Sequence, residues 1–344
     1  MMPKENIYKI EEIVKDLNTP ALILSTFVGR GMHTLGEAVR ECFPESAKVY
    51  HHPIEEFLPK RAVDEDLRRY KIISNKFRFL LYLIYKLPFF YYRKYLREKF
   101  FSKNDLGVLK NKIEELNIKT VICISHRAAF WVSSLKQKSK MRFDIWDIVG
   151  EYGKNLGYKY IFWEEINGFL SPVDKAAMNI DFPEHVKFYK IYLPARRDFY
   201  KIASIKGDHD KVLLVCGFWG QGPIREILRM LLKEIPQLNV YAICGENNKL
   251  YDNVMLLFKG ATNVKVYGIV DNLCPYLKDC ACIITKPGIS TILEAHAAQR
   301  KIFLLKGMPI AEDNNARFAI EHFGAEWFNL ENFKRWHAGI GHNK

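Results

Sequence analysis

Short apolar segments alternate with glycine loops and helical stretches along this chain, and this alternation limits the folds open to it. Residues 212–217, 239–245 and 280–285 are almost continuously apolar, as strands covered on both faces of a sheet must be. Further β-rich segments lie at residues 21–25, 120–125, 159–163, 187–193, 263–268 and 301–305. Strands that alternate with helices predict parallel sheets in an α/β protein.

The length of the chain favours two domains. Its 344 residues exceed the roughly 100–200 residues of one domain. Residues 21 and 212 each begin an apolar strand that leads into a glycine loop and a helix. The sequence predicts two Rossmann-like domains, 1–200 and 201–344, joined near residues 194–210.

The charge and composition of the chain limit its partners and its compartment. A net charge of +13 favours phosphates, nucleic acid or an anionic lipid surface. The seven cysteines lack paired CxxC spacing and are interpreted as reduced thiols of a cytosolic protein. No segment reaches about 18 uncharged apolar residues, and the first residues lack the apolar region of a secretory signal. We therefore expect a cytoplasmic protein whose membrane contact, if any, is peripheral.

The loop in "STFVGRGMHTLGEAV" carries the first candidate site. Gly29 and Gly31 follow the strand, and Thr34 to Glu37 match the capping box that begins a helix. His33 would then precede the cap, at the carboxyl edge of the sheet. A neutral imidazole there can take a proton from a hydroxyl group. A solvated histidine in a tight turn explains the loop equally well.

The segment "CIITKPGISTILEAHAA" carries the second candidate site. Its strand is predicted to end at Thr285, and its helix to begin at Ser290 or Thr291 after Gly288. Free N–H groups at such a helix start favour a diphosphate. Glu294 would reach a ribose diol, although Thr291 and Glu294 also match a purely structural capping box.

Three more loops follow predicted strands. The loop "CGFWGQG" holds Gly217, Gly220 and Gly222, which allow a close approach to phosphate. The loops "CGENN" and "YGIVDN" contain Gly245 and Gly268, where main-chain groups could bind a nucleobase. Each of these loops is also explained by an ordinary tight turn.

The order of these motifs, with "MPIAEDNNARFAIEHFGA" after them, resembles glycosyltransferase family 28. This family includes monogalactosyldiacylglycerol synthases and diacylglycerol glucosyltransferases, and is related to the peptidoglycan N-acetylglucosaminyltransferase. The resemblance extends over residues 20–328 and implies a GT-B fold, with two Rossmann-like domains facing each other across a cleft. It implies an acceptor on the N-terminal domain and a UDP-sugar mainly on the C-terminal one.

Carried over to this sequence, the resemblance assigns the site residues. It implies that His33 acts at the acceptor hydroxyl, Gly288 and Thr291 at the diphosphate, and Glu294 at the ribose. The remaining residues predicted to bind the nucleotide sugar are Gly29, Gly31, Gly217, Gly220, Gly222, Gly245, Ile269, Val270, Ile289, Ser290, Glu312 and Asn315. Met32 and Ile289 replace glycines of the family, and Ile310 and Ala311 replace its Gly-Gln pair.

No metal or other cofactor is expected. Residues 64–66 and 208–210 each match a bare Asp-x-Asp pattern, but neither follows an apolar strand, and both are interpreted as solvated. Helix N-termini and basic side chains such as Lys286 can neutralise a diphosphate without a cation.

Residues 67–101 combine aromatic and basic side chains, with Glu98 the one acidic residue among them. This mixture is typical of helices that lie in the headgroup region of an anionic membrane. The same composition could instead stack the bases of single-stranded nucleic acid between its aromatic rings. It could also belong to an ordinary pair of amphipathic helices with a solvated basic face. The resemblance favours the lipid, and no nucleic-acid partner is expected.

The sequence therefore predicts a hexosyltransferase on the inner face of the cell membrane. It would transfer a hexosyl group from a UDP-sugar to a lipid hydroxyl such as that of diacylglycerol. A UDP-sugar epimerase-like enzyme and a non-catalytic UDP-sugar or lipid-binding homologue are the alternatives.

Overall fold

The computed structural model describes residues 6–27, 30–61, 63–64, 67–68, 106–153, 156–307 and 310–339. The chain divides into two compact units. The first comprises Met1–Arg196 with Pro309–Ala311, and the second comprises Arg197–Met308 with Glu312–Lys344. The assignment of acceptor and donor roles to residues 1–200 and 201–344 stays a prediction.

A seven-stranded parallel sheet forms the centre of the first unit. Its strands are β1 (Ile7–Tyr8), β2 (Ala21–Ser25), β3 (Val49–Pro53), β4 (Thr120–Cys123), β5 (Asp144–Ile148), β6 (Gly168–Ser171) and β7 (Lys187–Ile191). They pair in the order β1-β7-β6-β5-β4-β2-β3. Strand β3 pairs with β2 on one side. Strand β4 pairs with β2 on the other side, and β5, β6 and β7 follow beyond it. The order therefore reverses between β2 and β4, and ligands of open α/β sheets bind beyond the carboxyl ends at such a point.

Helices connect these strands, as parallel pairing requires. They are α1 (Ile10–Val14), α2 (Gly31–Glu41), α3 (Gly107–Glu115), α4 (His126–Ser139) and α5 (Lys175–Met178). Short 3₁₀ turns cover Ile54–Phe57, Leu156–Tyr160 and Trp163–Glu165. Ser125 caps α4 by accepting a hydrogen bond from the Ala128 backbone N–H at 3.2 Å.

The second unit contains a six-stranded parallel sheet. Its strands are β8 (Asp208–Val215), β9 (Asn239–Ile243), β10 (Val264–Tyr267), β11 (Cys280–Thr285), β12 (Lys301–Leu304) and β13 (Glu326–Trp327). The order β10-β9-β8-β11-β12-β13 is that of a Rossmann sheet, 3-2-1-4-5-6. It reverses between β8 and β11, so the loops after these two strands flank the expected ligand crevice.

Helices precede, connect and follow the strands of the second unit. They are α6 (Arg197–Lys201), α7 (Ile224–Glu234), α8 (Asn248–Leu257), α9 (Cys274–Asp279), α10 (Ile289–Ala297), α11 (Ala311–Phe323) and α12 (Leu330–His337). In α7 the buried side chains of Ile224, Ile227, Leu228 and Leu231 recur at helical spacing and join the apolar core.

The prediction of a strand at residues 159–163 is wrong. This segment belongs to the 3₁₀ turns Leu156–Tyr160 and Trp163–Glu165. Tyr158 and Ile161 are both buried in the core of the first unit, at a spacing of three residues that suits a helical turn. The Trp163 indole N–H donates to the Tyr158 carbonyl at 3.1 Å and holds the turn closed.

Two further properties concern the described part of the chain. None of its helices combines the length and apolar character that crossing a bilayer requires. Its cysteines are free thiols, and those on the strands β4 and β11, Cys123, Cys280 and Cys282, are buried.

Candidate functional site

The loops of the second unit that follow β8, β9, β10, β11 and β12 begin at one edge of its sheet, because all these strands are parallel. Gly217, Gly245, Gly268, Gly288 and Gly307 lie in these loops. The loops after β8 and β11 are neighbours at the reversal of strand order. The structure therefore brings the predicted glycine loops to one sheet edge.

Two glycines, Gly220 and Gly245, allow the loops after β8 and β9 to pack on each other. Gly220 and Gly245 have positive φ angles of 58° and 60°. A Cβ atom on Gly220 would lie 2.0 Å from the Cys244 carbonyl oxygen, and one on Gly245 would lie 2.0 Å from the Phe218 carbonyl oxygen. Close backbone packing thus requires glycine at both positions, whether or not a ligand is bound.

Gly217 and Gly222 differ in what surrounds them. Gly217 also has a positive φ, 73°, but a Cβ atom there would meet only Lys286, whose Nζ would lie 3.6 Å away. A Cβ atom on Gly222 would lie 2.3 Å from the Cys216 Sγ. Gly217 is therefore the glycine of this loop that lies next to a basic side chain.

Helix α10 begins two residues earlier than the later of the two predicted starts. Gly288 is its N-cap, in an extended conformation, and Ile289 is its first residue. Thr291 consequently lies inside the first turn, so the capping-box interpretation of Thr291 and Glu294 is wrong. Gly288, Ser290 and Thr291 are half-buried, and there is open space around the Gly288 Cα. The N–H groups of this first turn lack carbonyl partners within the helix, which makes the site suitable for an anion.

Ile289 and Glu294 both point into the protein. Ile289 is 4% exposed, and Glu294, in the second turn of α10, is 3% exposed. A carboxylate is rarely buried to this extent unless polar groups accompany it. Because its capping role is excluded, the buried position of Glu294 needs another explanation, and the predicted ribose contact remains a proposal.

Lys286 is a buried cation between two of these loops. It is 8% exposed, and its Nζ lies 3.6 Å from a carboxylate oxygen of Glu312 at the start of α11. The Asn315 side-chain amide donates to the Pro287 carbonyl at 3.3 Å. Glu312 and Asn315, which were predicted to bind the sugar, are thus held directly against the loop that precedes α10.

The residues predicted to bind the uracil lie farther along the same sheet edge. Ile269 and Val270 follow β10, and Ile269 is 52% exposed. They are separated from the loop after β8 by the loop after β9, following the strand order β10-β9-β8.

In the first unit, α2 begins at Gly31 rather than near Thr34. Its N-cap residue Arg30 has a left-handed backbone, with φ of 62°, and accepts a hydrogen bond from the Thr34 N–H through its carbonyl at 2.9 Å. The predicted capping box of Thr34 and Glu37 is therefore wrong, and His33 lies within the first helical turn. Gly29 lies outside the described residues.

Nearby groups hold the loop that leads to His33. The Phe27 backbone N–H donates to a Glu55 carboxylate oxygen at 3.0 Å, and the other oxygen lies 3.6 Å from the Arg127 guanidinium of α4. The rings of Phe27 and His33 are in contact, with centroids 5.5 Å apart. These interactions place the His33 imidazole at the carboxyl end of β2.

A hydrogen-bonded chain links His33 to Ser25 and His51, which the sequence did not single out, and to Glu37, for which the sequence predicted only a capping role. His33 Nδ1 lies 3.1 Å from Ser25 Oγ, which lies 2.9 Å from His51 Nε2. His51 Nδ1 lies 2.5 Å from a Glu37 carboxylate oxygen. The two imidazole rings are also stacked, with centroids 4.4 Å apart. The paired histidines of "VYHHP" were the available signal, but this segment was not predicted as a strand.

The electrostatics of this cluster favour an uncharged His33. Burial, followed by the electrostatic effect of the neighbouring His51, lowers the pKa of His33 to about 4. A hydrogen bond from His51 outweighs burial and lowers the pKa of Glu37 to about 2. At neutral pH His33 is therefore a neutral imidazole beside a Glu37 carboxylate, and it can accept a proton.

The same residues bear on the expected absence of a metal. Ligand atoms of His33, Glu37 and His51 lie within 4.8 Å of one another, and no other such group occurs in the described ranges. The short contact of Glu37 with His51 has the length of a hydrogen bond, with no room for an ion between the two atoms. Metal independence remains a prediction.

Residues 208–210 are part of a strand, not of a linker. They begin β8, where the Asp210 carboxylate lies 2.9 Å from His337 Nε2 and the His209 ring stacks on Trp336. These contacts tie α12 to the amino end of β8, away from the glycine loops. Of the other Asp-x-Asp pattern, only Asp64 belongs to the described residues. Residues 69–101 of the basic aromatic segment 67–101 lie outside them.

Comparison with known proteins supports the resemblance and the fold. No protein-family model matches the chain. A processive diacylglycerol beta-glucosyltransferase of Bacillus mycoides is 34% identical over 113 residues, which are 32% of this chain and 29% of that relative. The chain thus matches less than a third of the length of this curated relative, and the sequence resemblance to this enzyme class is confirmed over that region.

Two solved structures match over most of the chain. MurG of Acinetobacter baumannii has a TM-score of 0.52 and 13% identity, covering 93% of this chain and 90% of that one. The spinosyn rhamnosyltransferase SpnG, complexed with thymidine diphosphate, has a TM-score of 0.52 and 12% identity, covering 94% of this chain and 90% of that one. The predicted GT-B class, with two Rossmann-like α/β domains, is confirmed.

Proposed function

We propose that this protein is a hexosyltransferase that transfers a sugar from UDP to a lipid hydroxyl group, with diacylglycerol as the acceptor. The observation that carries the proposal is the grouping of Gly217, Lys286 and the start of α10 on either side of the strand reversal. This grouping offers N–H groups and a cation to a diphosphate. The partial sequence similarity to diacylglycerol glucosyltransferases supports the acceptor class.

On the donor side, each group has a chemical role. The first-turn N–H groups of α10 and the Lys286 ammonium would bind the diphosphate and stabilise the charge that develops as UDP leaves. Glu294 would accept hydrogen bonds from the ribose hydroxyls, and Ile269 and Val270 would present backbone groups to uracil. Glu312 and Asn315, which contact Lys286 and the Pro287 carbonyl, would contact the hexose.

On the acceptor side, His33 acts as the general base. Its imidazole takes the proton from the lipid hydroxyl, whose oxygen attacks the anomeric carbon of the sugar. The bond between this carbon and the diphosphate oxygen breaks, and UDP departs with the electron pair. No metal is required for these steps, so transfer is expected to continue in EDTA.

The lipid acceptor places the reaction at a membrane surface. Residues 67–101 are proposed to bind an anionic membrane on its cytoplasmic face through their basic and aromatic side chains. This role rests on the sequence of the segment, as a peripheral contact that needs no spanning helix.

A lipid transfer assay tests the proposal. The full chain is incubated with radiolabelled UDP-glucose, UDP-galactose or UDP-N-acetylglucosamine and with phosphatidylglycerol vesicles that contain diacylglycerol. We expect label in the organic phase with one of the donors. His33→Ala is expected to lower this transfer by about 10²-fold or more, because the base is lost.

The same assay distinguishes the two alternatives. Isomerisation of UDP-N-acetylglucosamine without any acceptor would identify an epimerase. Binding of UDP with no transfer to diacylglycerol or to a total lipid extract would identify a non-catalytic protein. Either outcome contradicts the proposed function.

Calorimetry with UDP tests the donor side by itself. Lys286→Gln is expected to weaken UDP binding by about 10-fold or more, since hydrogen bonds to charged groups contribute roughly 1.5–3 kcal/mol. Glu294→Gln should also weaken it. Glu321→Gln, at an exposed position near the end of α11, is the control. Unchanged UDP affinity in both site variants would remove α10 from the proposed site.

A further inference from the structure

We propose that Ser25, His51 and Glu37 are positioning residues that fix the tautomer of His33, leaving its Nε2 atom unprotonated to receive the acceptor proton. This inference rests on the proposed role of His33 as the base. The three residues come from three elements, since Ser25 ends β2, His51 lies in β3 and Glu37 lies in α2.

The hydrogen bonds form a continuous series, and its two middle residues, Ser25 and His51, are shielded from water. Its three contacts, from Glu37 to His51, from His51 to Ser25 and from Ser25 to His33, measure 2.5, 2.9 and 3.1 Å. The His51 side chain is 1% exposed, and Ser25 is fully buried. Water therefore competes poorly for these groups, so each hydrogen bond retains most of its directing effect.

Glycine at position 36 makes this arrangement possible. A Cβ atom on Gly36 would lie 2.4 Å from His51 Nε2, the atom that faces Ser25. Any larger residue would displace the His51 ring from the chain. The helix α2 therefore supplies both the carboxylate that orients His51 and the space that its ring occupies.

The direction of each hydrogen bond follows from the charge on Glu37. Its carboxylate can only accept, so His51 Nδ1 carries a proton and donates. A neutral His51 then accepts at Nε2 from the Ser25 hydroxyl. Because the Ser25 proton points to His51, Ser25 Oγ accepts from a proton on His33 Nδ1. A neutral imidazole carries one proton, so His33 Nε2 has a free lone pair.

The hydrogen-bonded series also stabilises the product of the proton transfer. When His33 Nε2 takes the acceptor proton, Nδ1 keeps its own proton and its hydrogen bond to Ser25, and the imidazolium charge is stabilised through His51 by Glu37. A protonated His51 would reverse both bonds and leave the proton on His33 Nε2. The other charged groups that act on His33 are Arg30 and Glu56.

Nuclear magnetic resonance of the full-length protein with ¹⁵N-labelled histidine tests the series of hydrogen bonds without substrate. At pH 8, long-range ¹H–¹⁵N spectra are expected to show His33 protonated at Nδ1, with His33→Gln identifying its signals. Ser25→Ala is expected to move the proton to Nε2, which an unconstrained imidazole prefers. Ser25→Thr retains the hydroxyl and should keep the proton at Nδ1.

Kinetics with the lipid assay provide the second readout. His51→Gln is expected to lower kcat by roughly 10–100-fold, the range seen for residues that orient metal-ligating histidines, with little change in the KM for the UDP-sugar. His52→Gln is the matched control and should stay within twofold, because the neighbouring His52 bonds instead to Glu56 at 2.8 Å.

The outcomes separate this inference from the proposed function. A proton on His33 Nε2 in the unaltered protein, or on Nδ1 after Ser25→Ala, would overturn the inference whatever the activity. If Ser25→Ala does not fold, the same spectrum of His51→Gln decides. The expected tautomers together with full activity of His33→Ala would confirm the chain and refute His33 as the base.

Discussion

Burial beside a second imidazole changes what a single histidine can do. The pKa of His33 is lowered to about 4, first by burial and then by the electrostatic effect of His51, while Glu37 opposes this shift. We expect the His33 ring signals to titrate near pH 4, well below 6.5. His51→Gln should raise this midpoint because it removes an interaction that disfavours the charged His33, and Glu37→Gln should lower it because it removes an interaction that favours it. A midpoint near 6.5 in the unaltered protein would contradict the described environment of His33.

This shift also affects stability. The pKa of His33 is lower in the folded chain than in the unfolded one, so between about pH 6.5 and 4 the unfolded state binds the extra proton. His33 therefore lowers the free energy of unfolding as the pH falls through this window.

Asp147 is a second titratable residue whose environment disfavours charge. It is fully buried on β5, and burial raises its pKa well above 3.8, which the nearby Ile148 backbone N–H only partly offsets. Asp147→Asn is expected to raise the free energy of unfolding near pH 8 by about 1 kcal/mol or more, because the unfolded Asp147 gains stability by ionising at this pH whereas an amide cannot ionise.

The sign of this effect depends on pH. The unfolded Asp147 carboxyl ionises from about pH 4 upward, while the folded one keeps its proton, so the stability of the unaltered protein falls as the pH rises through this range. The gain from Asp147→Asn should therefore vanish below pH 4. Urea unfolding at several pH values measures it, with Asp144→Asn on the same strand as the control. A constant difference at all pH values would argue against a protonated Asp147.

Individual residues differed in how far the sequence could identify them. His33 follows a glycine loop, which marked it directly. Ser25 and His51 are 26 positions apart, and they meet only because β2 and β3 pair in parallel. Such a contact depends on strand pairing, which local sequence patterns do not encode.

At the scale of elements, strands buried on both faces were predictable from their apolar runs, as β8 and β11 show. Strands β3, β5 and β6 were not predicted, because "VYHHP", "DIWDI" and "GFLS" interrupt the apolar pattern with polar residues or glycine. Helix starts were misplaced for α2 and α10, where Thr34 and Thr291, each followed three residues later by a glutamate, lie inside the first turn rather than at the N-cap. The backbone there is instead set by Arg30 and Gly288.

The start of α11 holds a strained residue that a substitution can test. Ile310, immediately before this helix, has a φ of 71°, which β-branched residues rarely adopt. Such strain costs about 1–3 kcal/mol, and glycine relieves it at an entropic cost of roughly 0.5–1 kcal/mol. Ile310→Gly is therefore expected to raise the free energy of unfolding by about 1 kcal/mol, as measured by urea titration.

A second variant separates backbone strain from side-chain contacts. Ile310→Ala removes most of the side chain but keeps the Cβ atom and therefore the strain. It should gain less stability than Ile310→Gly. Equal effects of the two substitutions would show that the side chain, not the φ angle, is responsible.

For the whole molecule, alternation of strands and helices was enough to predict two α/β units, but not their strand orders. The orders place the His33 loop after β2 and the Gly288 loop after β11, each beside a reversal of its own sheet. Glycine loops after strands can therefore be identified as candidate binding loops from sequence alone, whereas their place beside a reversal depends on strand order, which the local sequence does not encode.

The net charge of +13 belongs to the whole molecule, whereas the proposed membrane binding is assigned to residues 67–101. Each basic residue near an anionic surface contributes about 1 kcal/mol, and salt screens this attraction. We expect the chain to sediment with phosphatidylglycerol vesicles at low salt, to be largely released by about 0.5 M salt, and not to bind phosphatidylcholine vesicles.

Two variants of equal charge distinguish these two sources of attraction. Arg93→Glu, Lys94→Glu and Arg97→Glu combined alter the segment, whereas Lys233→Glu, Lys249→Glu and Lys259→Glu combined alter exposed positions in the second unit. A local binding segment predicts that the first variant loses vesicle binding by at least about 10-fold and the second changes little. Equal losses would instead attribute the attraction to the field of the whole molecule, because a general positive potential does not depend on which cations are removed.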